Sequence, residues 1–185
     1  MNKKQDFISE IMKLEWDMFS SVRNRGGRAA CQESPETFEL IRTSTFKTWS
    51  EATLESYIHD LKEAKEAERN LMTEKYARME GIGTPVDPEG LELIDNIVKR
   101  ECIWAEKFLE KHPKLKMARP IYSSQDSPYA VSSETYSRGE LATYSRKTLS
   151  LYYQDILDME EKNINRIEQI TVIMLKKFAE QTGQA

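Results

Sequence analysis

The sequence predicts an all-α protein. Apolar residues recur at spacings of three and four along several segments, and no stretch alternates with period two for long enough to form a strand. Only seven glycines and six prolines interrupt the chain. Hydrophobic residues make up 39% and charged residues 31% of its 185 residues, a balance typical of a folded helical domain. A chain of this length can bury a core without a metal or a disulfide.

Three helices are expected in the first part of the chain. The first covers residues 5–22, and the sequence NRGG ends it because glycine adopts the left-handed conformation common after a helix. The second begins at Ser34 and Pro35, a hydroxyl cap followed by a first-turn proline, and runs to about Trp49. The third begins at Ser50 and continues for about thirty residues to GIGTP.

The second part of the chain repeats this order. Asp87 and Pro88 start a fourth helix, which ends near His112. Residues 113–134 are rich in Pro, Ser and Tyr and have no period, so we predict a long loop, which in a compact domain is usually functional or mobile. A short fifth helix follows at about 133–144. Ser145 then caps a long sixth helix that reaches toward residue 178.

An internal repeat accompanies this pattern. The segment TWSEATLESYIHD at 48–60 is similar to TYSRKTLSLYYQD at 143–155, an offset of 95 residues (143 minus 48). The same offset pairs Asn70 with Asn165. A simpler interpretation is that TWS and TYS only repeat a favourable helix cap and that the other matches are chance.

We therefore predict a six-helix bundle made of two tandem three-helix repeats, each in the order long, short, long. The repeats cover approximately residues 1–80 and 88–182 of a single domain, residues 1–185. Each repeat has an apolar face that it cannot bury alone, so the two are expected to pack against each other about an approximate two-fold axis.

Composition excludes several functional classes. The net charge of -4 argues against general nucleic-acid or anionic-membrane binding, because affinity for polyphosphate depends on an excess of Lys and Arg. Cys31 and Cys102 form no CxxC motif, and with only two histidines a structural zinc site is poorly supplied, so we expect no metal and no cofactor. No apolar run suits a signal peptide or a membrane span. These features favour a reducing, cytoplasmic location.

Four carboxylates interrupt the predicted apolar faces, and a buried charge is costly unless it is paired. One hypothesis is that they converge on a metal site of the kind built inside helical bundles, which needs Glu-x-x-His pairs. The residues three before His59 and His112 are Ser56 and Leu109, so this pattern is missing. The alternative is that the acids pair with Arg or Lys at the edge of the core. The four are Glu15, Glu68 (whose counterpart is Asn163), Glu101 and Glu140.

A wall that receives an anion is the main binding hypothesis. The segment RNRGGRAACQ supplies three arginines around two glycines, which suits a phosphate or carboxylate, although it matches neither a Walker A loop nor GxGxxG. The alternative is that the glycines end a helix and the arginines are solvated. The expected ligand-binding residues are Arg28, Gln32, Arg42, Arg119, Ser124 and Arg138.

An enzyme is the competing hypothesis. Glu74 and Glu140 would act as acid and base, with Tyr76 or Tyr144 as hydrogen-bond donor, in a cleft between the repeats. Cys31 precedes a helix start, where a thiolate is favoured, but neither histidine is nearby in sequence to act as its base. Large aromatic residues at helical spacing are most simply core residues: Trp16, Trp49, Tyr57, Trp104, Tyr144 and Tyr152.

Five segments together resemble the bacterial family called domain of unknown function 4125: LEWDMF, GGRAACQ, ATLESY, NLMTEKYARME and RGELATYS. The resemblance runs over most of the chain and implies an all-helical bacterial protein whose activity is not established. It also implies that similar domains occur joined to a nucleotidyltransferase-like domain, which would favour an accessory role. The residues that mark the family, without assigned roles, are Glu15, Trp16, Arg28, Gln32, Trp49, Glu74, Tyr76, Arg138, Glu140 and Tyr144.

Three functional hypotheses follow. The first is a non-enzymatic module that binds a small anionic or polar ligand, or a partner protein, near the loops that contain Arg28, Gln32 and Ser124. The second is the Glu/Tyr enzyme. The third is an accessory subunit of a nucleotide-handling protein.

Overall fold

The computed structural model describes residues 2–23 and 30–182. Within these residues the regular structure is helical, apart from one isolated β-bridge, and the all-α prediction is confirmed. The helices are α1 (Lys3–Ser20), α2 (Pro35–Phe46), α3 (Glu51–Glu66), α4 (Leu71–Met79), α5 (Pro88–Lys111), α6 (Ser133–Leu141), α7 (Arg146–Glu161) and α8 (Arg166–Thr182). Short 3₁₀ turns cover Ala30–Glu33 and Ser123–Gln125.

The prediction of six helices was wrong, because each expected long helix after a Ser cap is broken in two. Glu68 separates α3 from α4 with φ of 54°, and Asn163 separates α7 from α8 with φ of 53°. In both turns the N–H of the next residue donates to the carbonyl oxygen five residues earlier, at 2.7 and 2.8 Å. A left-handed residue followed by such a bond ends a helix. Glu68 and Asn163 are therefore exposed in turns, and not on an apolar face.

Local capping sets the helix starts as expected. Ser50 accepts a hydrogen bond from the backbone of α3, Ser145 does the same for α7, and Asp87 accepts one from Gly90 in α5. Each bond satisfies an amide that has no partner inside the helix. Ser34 occupies the cap position of α2, but its side chain makes no capping hydrogen bond.

The contacts divide the chain into two compact units. The first unit comprises residues 1–73 and 168–185, and the second comprises residues 74–167. The first unit therefore contains α1 to α3 and most of α8, whereas most of α4 belongs to the second unit with α5, α6 and α7.

The core of the first unit forms where α1 packs against α3. Ile8 and Ile11 of α1 are buried with Leu54 and Leu61 of α3. These residues recur at helical spacing, so the apolar face read from the sequence is the buried face. Trp49, Tyr57 and Phe46 form a buried aromatic cluster with centroids 5.0 to 5.9 Å apart.

The core of the second unit forms where α5 packs against α7 and α6. Buried Ile94 and Ile97 of α5 belong to it, together with Leu149 and Ile156 of α7. Trp104, Tyr144 and Tyr152 are buried as expected, whereas Trp16 in the first unit is only half-buried. No described helix combines the length and the apolar character that crossing a membrane requires.

Candidate functional site

One buried carboxylate organises the first unit. Glu15 has no solvent exposure, and its oxygens accept hydrogen bonds from Arg42 Nε at 2.8 Å, Arg42 Nη2 at 2.5 Å and Tyr57 OH at 2.8 Å. Arg42 is itself buried and lies over the ring of Phe46, 4.7 Å from its centroid. The guanidinium that was expected to receive an external anion therefore neutralises a carboxylate inside the protein.

Another carboxylate with several hydrogen-bond donors lies in the second unit. Glu101 accepts hydrogen bonds from Ser137 Oγ at 2.6 Å, Tyr152 OH at 2.5 Å and Arg166 Nη1 at 3.1 Å. Burial, opposed by the charge of Arg166 and reinforced by that of Glu101, raises the pKa of Tyr152 well above its ordinary value. The tyrosine therefore stays a neutral hydrogen-bond donor.

Three other expected ligand residues, Gln32, Arg28 and Ser124, have different positions. Gln32 is buried, and its Nε2 donates to the carbonyl oxygens of Phe19 and Val22 at 2.9 Å, so it satisfies the end of α1. Arg28 lies outside the described residues. Ser124 is exposed in the 3₁₀ turn Ser123–Gln125.

A lysine that the sequence analysis did not select joins two of the expected catalytic residues. Lys75 is 2% exposed, and its Nζ donates to Glu140 Oε2 at 2.7 Å and to Tyr136 OH at 2.5 Å. Glu140 Oε1 accepts a further bond from Tyr144 OH at 2.9 Å. The signal was present, since Lys75 follows Leu71 by four residues and so occupies the apolar face of α4.

Gly139 allows this cluster to form. A Cβ atom at this position of α6 would lie 2.8 Å from the side chain of Met79 and 3.0 Å from the carbonyl oxygen of Lys75. Only glycine lets α6 approach α4 this closely.

The remaining catalytic candidates lie beside Lys75 in α4. Glu74 and Tyr76 are half-buried, and the Tyr76 ring centroid lies 5.6 Å from Lys75 Nζ. The two cavities described for the second unit are not lined by Glu74, Tyr76, Glu140 or Tyr144. The cluster is thus an ion pair between Lys75 and Glu140 packed inside the second unit, and neither of these two cavities offers a substrate a place beside its carboxylate.

The larger of these cavities, named here the loop cavity, has a volume of about 680 Å³. It lies between the last turns of α5 and the loop that follows. Its apolar lining consists of Leu109, Leu115, Met117, Ala118, Pro120 and Ile121, and its polar lining of Glu106, Lys116, Arg119, Tyr122 and Gln125. Of the expected ligand residues, Arg119 lies in this lining.

The loop is ordered by the first turn of α6. Asp126 accepts hydrogen bonds from Thr135 Oγ1 at 2.5 Å and from the Ser132 backbone at 2.6 Å, and these bonds lower the pKa of Asp126. Glu134 accepts a bond from the Ser123 backbone at 2.8 Å, which is the main cause of its lowered pKa. The wall of the loop cavity is therefore held in place by two ionised carboxylates.

Two cations line the loop cavity. Arg119 Nη1 donates to the Val131 carbonyl at 3.3 Å, and its guanidinium lies 4.7 Å from the centroid of the Tyr136 ring. Within the described residues neither Arg119 nor Lys116 forms a salt bridge. Both side chains are exposed.

The lining of the loop cavity also contains a carboxylate, Glu106, and a phenol, Tyr122. Tyr122 hydrogen-bonds to Glu106, and this bond is the first cause that raises the pKa of Tyr122. The cavity therefore offers two cations, a neutral phenol and one carboxylate around an apolar lining.

Arg138, the remaining expected ligand residue, is already neutralised. It forms salt bridges to Asp95 Oδ1 at 2.5 Å and to Glu134 Oε1 at 3.1 Å. Partial burial lowers the pKa of Arg138, but the bonds to Asp95 and Glu134 outweigh it and raise the pKa. Arg138 therefore fastens α6 to α5.

One group of potential metal ligands occurs among the described residues. Ligand atoms of His59, Asp60 and Glu63 in α3 lie within 4.8 Å of one another. His59 and Glu63 are exposed, and exposed acidic groups are common without an ion. These residues alone do not indicate a metal site.

Comparison with known families gives the classification of this chain. A family model described as Protein of unknown function (DUF4125) matches residues 5–183. The chain belongs to this family. The resemblance carried by the five sequence segments is therefore confirmed over nearly the whole chain. No curated protein and no solved structure matches it, so membership of the family assigns no reaction or ligand.

Proposed function

We propose that this member of the DUF4125 family is a non-enzymatic module that binds a small organic anion in the loop cavity. The observation that carries the proposal is the presence of Lys116 and Arg119 in the lining without a salt bridge among the described residues. Two cations beside an apolar lining are complementary to an anion that also has an apolar portion.

Arg119 is the better anchor of the two cations. Its guanidinium is held by the Tyr136 ring and the Val131 carbonyl, so less conformational entropy is lost when a ligand binds. A guanidinium also presents several N–H donors in a planar fork, which suits the paired oxygens of a carboxylate or phosphate.

Size and lining support a small organic ligand rather than a bare ion. The volume of about 680 Å³ falls within the range of about 300–1,000 Å³ typical of small-molecule sites. The apolar lining suits a hydrocarbon or ring portion, and Glu106 suits hydroxyl or amino groups of the same ligand. Nucleotides and sugar phosphates have this combination of groups, which also accommodates the predicted accessory role in nucleotide handling.

The enzyme hypothesis has weaker support. Glu15, Glu101 and Glu140 each accept a hydrogen bond from a cationic side chain of their own unit. General acid-base catalysis needs a carboxyl that can reach a substrate and exchange a proton with it. Carboxylates committed to Arg42, Arg166 and Lys75 favour a structural role, and thus a binding module.

Thermal-shift measurements with nucleotides, sugar phosphates, citrate and divalent metals test the proposal. A ligand at 100 times its Kd stabilises the folded state by about 2.7 kcal/mol, which raises Tm measurably. The double variant Lys116→Gln/Arg119→Gln is expected to lose that shift. The matched control Lys99→Gln/Lys147→Gln removes two exposed lysines that do not line the cavity and should keep it. Equal shifts in both double variants, or equal binding of a neutral analogue, would contradict the proposal.

We also propose that the two parts of the chain are repeats of one ancestral unit within a single domain. Asn70 Nδ2 donates to the carbonyl of Met18, and Asn165 Nδ2 donates to the carbonyl of Trp104, both at 2.8 Å. The two asparagines are related by the offset of 95 residues, as are the left-handed residues that precede them.

The hydrogen-bond partners of Glu15 and Glu101 support the same proposal. Tyr57 and Tyr152, which bind Glu15 and Glu101, are related by the offset of 95, and so are Arg42 and Ser137. Serine carries no charge, and in the second unit Arg166 supplies the cation; its counterpart in the first unit is Leu71. The two units thus neutralise Glu15 and Glu101 with cations from different helices, Arg42 of α2 and Arg166 of α8.

If the two parts are repeats, replacing either asparagine should lower the free energy of unfolding by a similar amount. Asn70→Ala and Asn165→Ala each remove a hydrogen bond to a main-chain carbonyl and one from the backbone N–H of a following residue, and each is expected to lower the free energy of unfolding by about 1–2 kcal/mol. Urea denaturation followed by circular dichroism measures both. A large loss at one position with none at the other would count against equivalent turns.

In keeping with the sequence, we propose a cytoplasmic setting for this module. The free, buried thiol of Cys102 supports it, since such thiols persist in a reducing compartment.

A further inference from the structure

A second cavity in the second unit lies away from the loop cavity lining and has a different character. Its volume is about 360 Å³, and it is formed by the end of α4, the loop of residues 81–86, the start of α5, and α6. Ile82, Pro85, Val86, Leu91 and Ile94 supply its apolar lining. We call it the glycine-loop cavity, because Gly81 and Gly83 of the loop both have positive φ.

Arg78 is the charged group of this cavity that the fold holds in position. Its Nη1 donates to the carbonyl oxygen of Thr84 at 2.9 Å, which ties the side chain to the loop. At Gly83, φ is 145° and a Cβ atom would lie 3.3 Å from Arg78 Cγ, so the loop backbone packs directly on the arginine stem. Glycine suits this position because L side chains rarely adopt this φ, and a Cβ atom would also press on the arginine stem.

The charge of Arg78 is not compensated within the described part of the chain. Arg78 forms a bond to a neutral carbonyl and no salt bridge there, and no Asp or Glu side chain lines the cavity. Arg138 also lines the cavity, but it is paired with Asp95 and Glu134, so its contribution to the electrostatic potential there is small. A positive group fixed at the edge of a largely apolar cavity is complementary to an anion with an apolar body.

We propose that the glycine-loop cavity binds a small apolar carboxylate, with the carboxylate on Arg78 and the hydrocarbon portion between the loop and α5. Ile82 is 55% exposed and Leu91 is 46% exposed, so a bound hydrocarbon would remove these two side chains from water. The volume lies near the lower end of small-molecule sites, which favours a compact ligand such as a short-chain or aromatic acid.

Titration followed by heteronuclear NMR tests the proposal with benzoate and hexanoate as probes and benzamide and hexanamide as neutral controls. Both acids are expected to shift the amide resonances of residues 78–94, and each amide to bind at least tenfold more weakly. Arg78→Met is expected to weaken benzoate binding at least tenfold. It should leave hexanamide unaffected, since the apolar lining is unchanged.

A second variant separates loss of binding from loss of the loop structure. Ala142, the residue that follows α6, also lines the cavity, and Ala142→Leu fills it without removing the bond between Arg78 and Thr84. This variant should abolish binding of both acids while the spectrum of the loop stays native. Lys116→Gln/Arg119→Gln should leave benzoate binding intact, so failure of the proposed function and failure of this site are distinguishable. Unchanged benzoate affinity in Arg78→Met and Ala142→Leu, equal binding of acid and amide, or no shift at millimolar benzoate overturns the proposal.

Discussion

Replacing Arg42 with leucine tests how the buried carboxylate of the first unit is stabilised. The variant removes the hydrogen bonds that Arg42 donates to Glu15, from Nε at 2.8 Å and from Nη2 at 2.5 Å, and leaves the bond from Tyr57. Glu15 has no contact with solvent that could compensate. Leaving one partner of a buried ion pair alone costs about 3–5 kcal/mol.

That loss is large beside the total stability expected for a domain, about 5–15 kcal/mol. Tyr57→Phe removes only one bond to the same carboxylate and should cost less, about 1.5–3 kcal/mol. Glu15→Leu/Arg42→Leu removes both charges together. Because no isolated charge remains, we expect the double variant to be clearly more stable than Arg42→Leu alone.

Urea denaturation at pH 7, followed by far-ultraviolet circular dichroism, measures all three variants against the native chain. The slope of unfolding free energy with urea should stay constant, so that midpoints can be compared directly. A loss below about 1 kcal/mol for Arg42→Leu would mean that water or another group reaches Glu15. A double variant no more stable than the single one would mean that packing, and not charge, dominates at Arg42.

Three further outcomes are expected. Glu68→Gly should raise the free energy of unfolding by up to about 1 kcal/mol in urea denaturation, because φ of 54° disfavours glutamate. Asn163→Gly should raise it less, since asparagine tolerates this conformation. A lower free energy of unfolding in both variants would refute the claim that these two residues are strained. Burial raises the pKa of Cys102 to about 11, so its thiol should be alkylated at pH 8 only when the chain unfolds. Mass spectrometry of the peptides measures the labelling of Cys102, and rapid labelling of the native chain would argue against burial. The hydrogen bond from Thr135 is the main cause that lowers the pKa of Asp126 in the folded state. The ionised carboxylate therefore stabilises the fold fully above the unfolded-state pKa of about 4, and this stabilisation is lost as the pH falls through the folded-state pKa. Asp126→Asn should flatten the pH dependence of Tm below pH 4, and an unchanged profile would exclude this role.

Structural features that depend on residues close together in the sequence were predicted well. The caps at Ser50, Ser145 and Asp87 depend on a side chain and an amide three residues later, and the structure has all three. Asn163 carried a local signal that was missed, since asparagine tolerates the left-handed conformation. Glu68 was missed because glutamate within KEAKEAERN has no local reason to leave a helix. Packing beyond the local sequence overrides this propensity there.

In the candidate sites too, the sequence indicated the residue types but not the contacts between residues that are distant in the chain. Residue type and spacing selected Arg119, Glu140 and Tyr144, but they gave no means of finding that Lys75 neutralises Glu140 or that Arg119 lies over Tyr136. Arg42 and Gln32 looked like ligand residues because nothing in the sequence shows that a buried acid and two helix-end carbonyls would occupy them.

By itself the sequence determined the helical class, most helix boundaries, the apolar faces and the family of this protein, since each depends on local periodicity, capping or motif identity. The tertiary structure alone decided which charges are neutralised and which cations remain beside a cavity. The physical reason is that charge pairing acts through space, between residues such as Glu15 and Arg42 whose positions in the chain are far apart.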